Sequence, residues 1–200
     1  MKTVSGLFDD YKDAQTAVDA LERSGVPSEQ ISIISNNADD RHEDHSGAAN
    51  GAGTGAGLGA VVGGAGGLLT GLGMMAIPGV GPVVAAGWLA ATAVGAVAGA
   101  VAGGAAGGLI GALIDSGIPE ADAHVYAEGV RRGGTLVTAK VDDAVALNAE
   151  TILKHSNWVD PAARRDAYTQ QGWRKFDDTL DPYGPEAIEG ERDRYRQPGV

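Results

Sequence analysis

The hydrophobic pattern at the start of the chain changes from strand spacing to helix spacing and back. Thr3–Phe8 is a short apolar run that predicts a strand. After Asp9 and Asp10, apolar residues recur at helical spacing until Gly25, and Ile31–Ile34 predicts a second strand. The two aspartates are expected to cap the helix, because carboxylates accept hydrogen bonds from its free N–H groups.

A similar order of elements returns after residue 115. The segment PEADAHVYAEGVRR predicts a helix that begins at Pro119, and TLVTAKV predicts the clearest strand of the chain. Asp142 and Asp143 then precede a helix, and Asn157–Val159 could be a last short strand. Two βαβ halves predict an α+β fold, a ferredoxin-like sandwich with helices on one face of a four-stranded antiparallel sheet.

The two halves are separated by a long uncharged segment. From Ser46 to Ile114 the sequence contains no Asp, Glu, Lys, Arg or His. Glycine recurs at four-residue steps on both sides of a turn signal formed by Pro78, Gly79, Gly81 and Pro82. The spacing predicts a helical hairpin with arms at 51–76 and 83–114. The residues expected to pack its helices are Gly51, Gly55, Gly59, Gly63, Gly67, Gly71, Gly87, Gly95, Gly99, Gly103, Gly107 and Gly111.

Three interpretations of this hairpin compete: a membrane hairpin, the core of an oligomer, or a disordered linker. Its 19 glycines within 51–73 and 87–111 cost about 19 kcal/mol of helix propensity relative to alanine. Lipid favours helix despite that cost, because it offers the backbone no other hydrogen-bond partners. The arms, about 40 and 48 Å long as helices, would cross a bilayer core. The membrane hairpin is therefore favoured, the oligomer core is the alternative, and the uncharged composition disfavours a disordered linker.

This organisation divides the chain into four parts. They are the first half of a head (1–45), the hairpin (46–115), the second half of the head (116–160) and a polar tail (161–200). The tail is expected to be mostly irregular and flexible. Its aromatic residues are expected to dock on the head or on a neighbour; they are Trp173, Phe176, Tyr183 and Tyr195.

Composition narrows the classes of partner and chemistry. The net charge of −11 disfavours nucleic acid, which requires a basic surface. The absence of cysteine excludes disulfides and thiol catalysis. The acidic N-terminal region lacks an apolar signal segment, so the polar parts are expected in the cytoplasm.

Several polar motifs are candidate chemical sites. The segment DDRHEDH, Asp39–His45, could hold a divalent metal through His42 and His45, but its spacing matches no established site and favours an acidic loop. His124 and His155 are expected on helix surfaces. The glycines from Gly55 to Gly59 lack the Lys-Ser/Thr of a phosphate loop.

Pairs of adjacent charged residues also have both a functional and a structural interpretation. Asp9-Asp10 and Asp142-Asp143 could serve acid–base chemistry, but helix capping explains both pairs. Arg131 and Arg132 are expected to complement a helix dipole, with contact to lipid phosphate as the alternative. No catalytic residue, cofactor or metal site is predicted.

Four segments carry a family resemblance: GLFDDYKDAQTAVDALERSGVPSEQISIIS, GAGTGAGLGAVVGGAGGLLTGLG, AIPGVGPVVAAG and GIPEADAHVYAEGVRRGGTLV. In this order, over about residues 3–160, they resemble bacterial general stress proteins of the YflT-like domain family. The resemblance implies a stress-induced bacterial protein with a glycine-zipper hairpin, and it implies no catalytic residues.

The combined prediction is a noncatalytic stress-response protein. Its head would be tethered to the membrane, or assembled into a homo-oligomer, through the hairpin. Membrane lipid and a second copy are therefore the expected partners, with the head in the cytoplasm. The alternative is a soluble cytoplasmic oligomer whose hairpin forms the core and whose head senses a small ligand or stress.

Overall fold

The computed structural model describes residues 1–39, 73–92 and 108–196. The strands are β1 (Lys2–Phe8), β2 (Ile31–Asn36), β3 (Gly73–Ile77), β4 (Gly81–Gly87) and β5 (Thr135–Val141). The helices are α1 (Tyr11–Arg23), α2 (Leu109–Asp115), α3 (Glu120–Arg131), α4 (Asp143–His155), α5 (Pro161–Gln170) and α6 (Pro185–Arg196). A short 3-10 turn, Ser28–Gln30, precedes β2, and residues 88–92 are helical.

The five strands form one antiparallel sheet in the order β1-β5-β2-β4-β3. Val137 of β5 is flanked by Gly6 of β1 and Ile33 of β2, so the two predicted halves share one sheet. The expected last strand is reduced to one bridge, in which the Val159 N–H donates to the Leu7 carbonyl at 2.8 Å. The mixed α+β class is confirmed. The sheet differs from the predicted four strands because β4 and β3 extend it beyond β2.

Helices cover both faces of this sheet. Alternate strand residues such as Phe8, Ile33 and Val137 pack with α1 and α4 on one face. Leu7, Ile34 and Leu136 pack with α2 and α3 on the other. The expectation of helices on one face is therefore wrong. The additional helix α3 has its own buried apolar residues, which require a second core.

The predicted helical arms at 51–76 and 83–114 are corrected by the structure next to the turn, whereas residues 88–92 and 109–114 are helical as predicted and 51–72 and 93–107 lie outside the described residues. Residues 73–77 and 81–87 are strands, joined by a turn at 78–80. The physical reason lies in pairing: β4 hydrogen-bonds to β2 on one side and β3 on the other. Gly87 adopts φ +90°, and a Cβ there would lie 2.7 Å from the Ser32 Cα. Glycine is therefore required at this position for β4 to approach β2 closely.

Two of the proposed packing glycines, Gly87 and Gly111, lie among the described residues. Gly111 lies in α2, which packs against α3. The others lie outside the described residues; they are Gly51, Gly55, Gly59, Gly63, Gly67, Gly71, Gly95, Gly99, Gly103 and Gly107. Within the described ranges, no helix has the length and apolar character needed to cross a membrane.

The predicted irregular tail contains two helices. Asp160 caps α5 by accepting hydrogen bonds from the N–H groups of Ala162 and Ala163 at 2.8 and 3.0 Å, and Pro161 occupies the first turn. Tyr168 and Ile188 are fully buried, and Phe176 is nearly so. We call residues 161–196 the arm. The arm is ordered because these side chains pack on the head, and the polar composition of the segment does not predict that packing.

Candidate functional site

The most concentrated group of charged residues in the described chain lies where the arm meets the head. It occupies the end of the sheet at which β1 and β2 finish and β5 begins, next to the C-terminal end of α3. We call this group the ionic cluster. Its members are Asp9, Asp39, Glu128, Arg131, Arg132, Arg164, Glu191 and Arg192.

Glu128 is the centre of the cluster. It is 1% exposed and accepts hydrogen bonds from Arg132 Nε at 2.7 Å and, weakly, from Arg131 Nη1 at 3.5 Å. Arg132 also donates to Glu191 Oε2 of the arm at 3.0 Å. Burial opposes the charged form of Arg132, but its hydrogen bonds to Glu128 and Glu191 and the charge of Glu128 raise its pKa above the ordinary value. Both arginines are buried, so their side chains are not available to lipid phosphate as the sequence alternative required.

A bidentate ion pair ties α5 to the end of β1. Arg164 donates from Nη1 and Nη2 to the two carboxylate oxygens of Asp9 at 2.8 and 2.7 Å. Its guanidinium also lies 3.8 Å from the ring centroid of Tyr195. Burial disfavours the charged form of Arg164, but the hydrogen bond to Asp9 raises its pKa overall.

The predicted capping role of the aspartate pairs is wrong. Asp10 is the N-cap residue of α1, but its side chain makes no capping hydrogen bond, and Asp142 before α4 behaves in the same way. Asp9 instead forms an ion pair with Arg164, which lies 155 positions away in the chain. The local capping rule cannot anticipate such a partner.

Arg192 fixes α6 to the head by two contacts. Its Nε and Nη2 donate to the Gly133 carbonyl at 3.0 and 2.7 Å, immediately beyond the end of α3. Its Nη1 donates to Asp39 Oδ2 at 2.5 Å. The side chain therefore joins the α3–β5 connection to the last described residue before 40–72, and it is only 5% exposed.

The segment between α5 and α6, residues 171–184, packs on the β3–β4 turn. A Cβ at Gly79, which has φ +71°, would lie 2.6 Å from the Asp178 Cα, and one at Gly81 would lie 2.8 Å from Pro182 Cβ. Arg131 Nη2 donates to the Asp181 carbonyl at 2.8 Å. Pro78, Gly79, Gly81 and Pro82 thus lie at a β-turn and its flanking strands, and the turn supports the arm.

The charged groups of the cluster pair with one another and leave little space between them. Four carboxylates face its four arginines, Glu191 also pairs with Arg194, and the cavity among the side chains of Asp9, Arg132, Arg164 and Glu191 measures about 10 Å³. That is close to the smallest space that holds one water molecule. In the described ranges, no group of three or more acidic or histidine side chains could hold a metal ion.

The other sequence candidates are separate from the cluster. His124 lies on α3 with Nε2 3.8 Å from Glu120, and His155 Nδ1 lies 2.7 Å from the Thr151 carbonyl of the same helix. The metal candidate DDRHEDH lies outside the described residues except for Asp39. Of the tail aromatics, Phe176 joins the core while Tyr183 and Tyr195 lie against arginines.

Sequence reasoning missed most of the cluster. The one local signal was the spacing of Glu128, Arg131 and Arg132, since residues three and four apart lie on one side of a helix. The pairs Asp9–Arg164, Asp39–Arg192 and Arg132–Glu191 join distant parts of the chain. Nothing in a single sequence identifies those partners.

A comparison with known protein families supports the sequence assignment. Residues 3–78 match the family model described as the heat-induced stress protein YflT domain. No curated protein matches the chain. No solved structure matches it either. The matched segment contains β1, α1, β2 and β3, and the general stress protein resemblance is confirmed over it. Over residues 3–78 the chain is therefore similar to the YflT domain of heat-induced stress proteins, and this similarity supports a general stress-response protein.

Proposed function

We propose that this protein acts in the stress response without catalysis, as a homo-oligomer assembled through its uncharged glycine-rich residues. The observation that carries the noncatalytic part is the closed ionic cluster. Its charged groups converge as those of an active site do, but they pair with one another and leave no space for a substrate. The cluster is explained by attachment of the arm.

Part of the uncharged run lies in the described fold, and two further stretches have a composition that suits assembly. Residues 73–92 and 108–114 belong to the described fold, with Val83, Leu89 and Leu113 in its core. The stretches 46–72 and 93–107 carry the remaining glycines and have no charge. Small residues at four-residue steps let backbones approach closely, so these stretches suit contact between copies.

A membrane hairpin is the weaker form of the proposal. Its predicted tip, the Pro78–Pro82 region, is part of a β-turn that packs against Asp178 and Pro182 of the arm. A tip held in that way cannot also lie at the far side of a bilayer. Self-association is therefore the function that the geometry supports best.

The test is sedimentation of the full chain, purified without detergent, over a range of concentrations. We expect a concentration-dependent oligomer that Gly63→Leu and Gly99→Leu weaken, because a large side chain prevents close backbone approach. Gly190→Leu is the matched control, since a Cβ there has nothing within 4 Å. A strict monomer at every concentration would refute self-association. Flotation with phosphatidylcholine vesicles, together with a strict monomer in their absence, would favour the membrane alternative.

A further inference from the structure

We propose that the outer edge of β3 is an interaction surface that pairs with the same edge of a second copy of this chain. The five-stranded sheets of the two copies would then continue as one antiparallel sheet across a two-fold axis. The inference rests on the proposed self-association and goes beyond it, because it places a contact between copies in residues of the described fold. It is carried by the backbone groups of β3, by the side chains beside them and by the distribution of charge.

The backbone groups on the outer side of β3 belong to Met74 and Ala76. The Asn37 N–H donates to the Pro82 carbonyl at 2.9 Å, so every second residue of β4, counted from Pro82, faces β2, and the others face β3. Because Ala76 lies opposite Pro82 in the register, Ala76 and Met74 face away from β4. We call these two residues the β3 edge. β3 is the last strand of the sheet, and in the described ranges the N–H and C=O groups of this edge bond to no other segment.

The two edges of the sheet are built differently. On the outer side of β1, the Leu7 carbonyl accepts a hydrogen bond from the Val159 N–H, and the strand begins with the charged Lys2. β3, by contrast, contains neither a charged residue nor a proline, the residue types that commonly keep exposed edges from pairing. Its Met74 side chain is also 64% exposed. The β3 edge is therefore suited to accept another strand.

The sequence of β3 is self-complementary when two copies pair antiparallel about Met75. Met74 of one copy then lies opposite Ala76 of the other, and both residues face the partner strand. All of their N–H and C=O groups can therefore form the reciprocal hydrogen bonds of an antiparallel pair. The large Met74 side chain would lie beside the small Ala76 side chain on one face of the sheet, and both side chains are exposed in the single chain.

The distribution of charge favours this strand for contact between copies. Each copy has a net charge of −11, so two copies repel each other where charged surfaces meet. β3 lies within the segment from Ser46 to Ile114, which contains no charged residue. Pairing of the two β3 edges therefore places no like-charged side chains opposite one another in the new strand pair.

The first test is amide hydrogen exchange of the full chain, resolved by residue, over a range of protein concentrations. The N–H groups of Met75 and Ile77 face β4, so we expect them to be protected at every concentration. Those of Met74 and Ala76 should gain about tenfold protection or more only as the protein associates. An alternation from one residue to the next is the signature of strand pairing, because successive residues of a strand face opposite sides.

The second test is sedimentation of Met74→Lys and of its matched control, Leu147→Lys. Leu147 is 75% exposed on α4, so the control adds the same charge at an apolar surface position outside the sheet. We expect Met74→Lys to raise the dissociation constant by about tenfold or more, because lysine blocks strand addition at an edge. The control should assemble like the wild type. Ala76→Pro removes an outward N–H without breaking a hydrogen bond of the chain's own sheet, so it should weaken assembly as well.

The outcomes separate this proposal from the proposed function. Protection of Met74 and Ala76 at every concentration would overturn it, because another segment would then occupy the edge. Assembly that neither Met74→Lys nor Ala76→Pro weakens would overturn it too, while leaving self-association intact. If the wild-type chain is a strict monomer, the proposed function fails and β3 pairing fails with it. The exchange measurement uses the unaltered chain, so it gives a decision even if a substitution prevents folding.

Discussion

The ion pair between Asp9 and Arg164 provides a sharp test of how the arm is attached. The two residues share two hydrogen bonds of 2.8 and 2.7 Å. Their surroundings differ: the Arg164 side chain is 9% exposed, whereas that of Asp9 is 30% exposed. Removing one partner therefore has a different consequence from removing the other, because water can reach the carboxylate more easily than the guanidinium.

The magnitudes follow from that difference. Asp9→Ala leaves a buried arginine without its carboxylate, a change that costs about 3–5 kcal/mol in a fully buried pair. The partial exposure of Asp9 places the expected loss near the lower end, about 3 kcal/mol. Arg164→Met keeps much of the packing of the side-chain stem and leaves a carboxylate that water can solvate, so we expect a loss of about 1–2 kcal/mol. The double variant contains neither charge and should lose about as much as Arg164→Met alone.

The assay is urea denaturation followed by tryptophan fluorescence, with far-ultraviolet circular dichroism as a second probe. Trp173 reports on the arm, since its ring lies 5.6 Å from that of the buried Tyr168. A loss of about 3 kcal/mol corresponds to a fall in melting temperature of about 6–12 °C for a chain of this size. The coupling energy between the two sites should be about 3 kcal/mol, because the double variant loses only what Arg164→Met loses. Strictly additive losses, or a larger loss for Arg164→Met than for Asp9→Ala, would refute the argument.

Three further results are expected. Gly79→Ala should destabilise the protein by about 1–3 kcal/mol, whereas Gly190→Ala should be neutral or stabilising; equal thermal melts would contradict the close approach of Asp178 to the turn. A fragment of residues 3–78 should give no cooperative melt by circular dichroism, because the three strands that the structure describes in it are not neighbours in the sheet; a cooperative melt would show that other pairings suffice. Burial raises the pKa of Tyr126 and of Tyr168 above 10.0, so their contribution to stability is complete below about pH 10 and is lost as the pH rises above it. Tyr168→Phe should reduce that alkaline loss in melts between pH 8 and 11, and an unchanged pH profile would contradict it.

The head could be predicted from sequence because its elements follow local rules. The strand and helix periods of Thr3–Phe8, the α1 segment and TLVTAKV agree with β1, α1 and β5. Each element has one buried side, so the spacing of apolar residues is enough to find it. The second core was missed because the sequence shows that α3 has an apolar side but not which face of the sheet it covers.

The uncharged run shows where periodicity misleads. Glycine at every fourth position suggested helix through Gly73 and Gly87, but both residues lie in strands. Glycine has no side chain that would mark one face of a helix or strand, and the run has no charged residues against which an apolar face would stand out. Residues 81–87 form a strand because β4 hydrogen-bonds to β2, and composition does not predict this long-range pairing.

The sheet order explains why so much of this fold depends on distant residues. The family match ends at residue 78, and its strands β1, β2 and β3 occupy the first, third and fifth positions of the sheet. The positions between them are filled by β5 and β4, which lie beyond the match. The matched segment therefore presents strand edges and apolar faces that only later residues can satisfy. The arm also depends on the matched segment, because its arginines form ion pairs with Asp9 and Asp39 of that segment. Because the sheet and the ionic cluster both join residues on the two sides of residue 78, the segment that matches the YflT model folds here as part of a larger unit that includes β4, β5 and the arm.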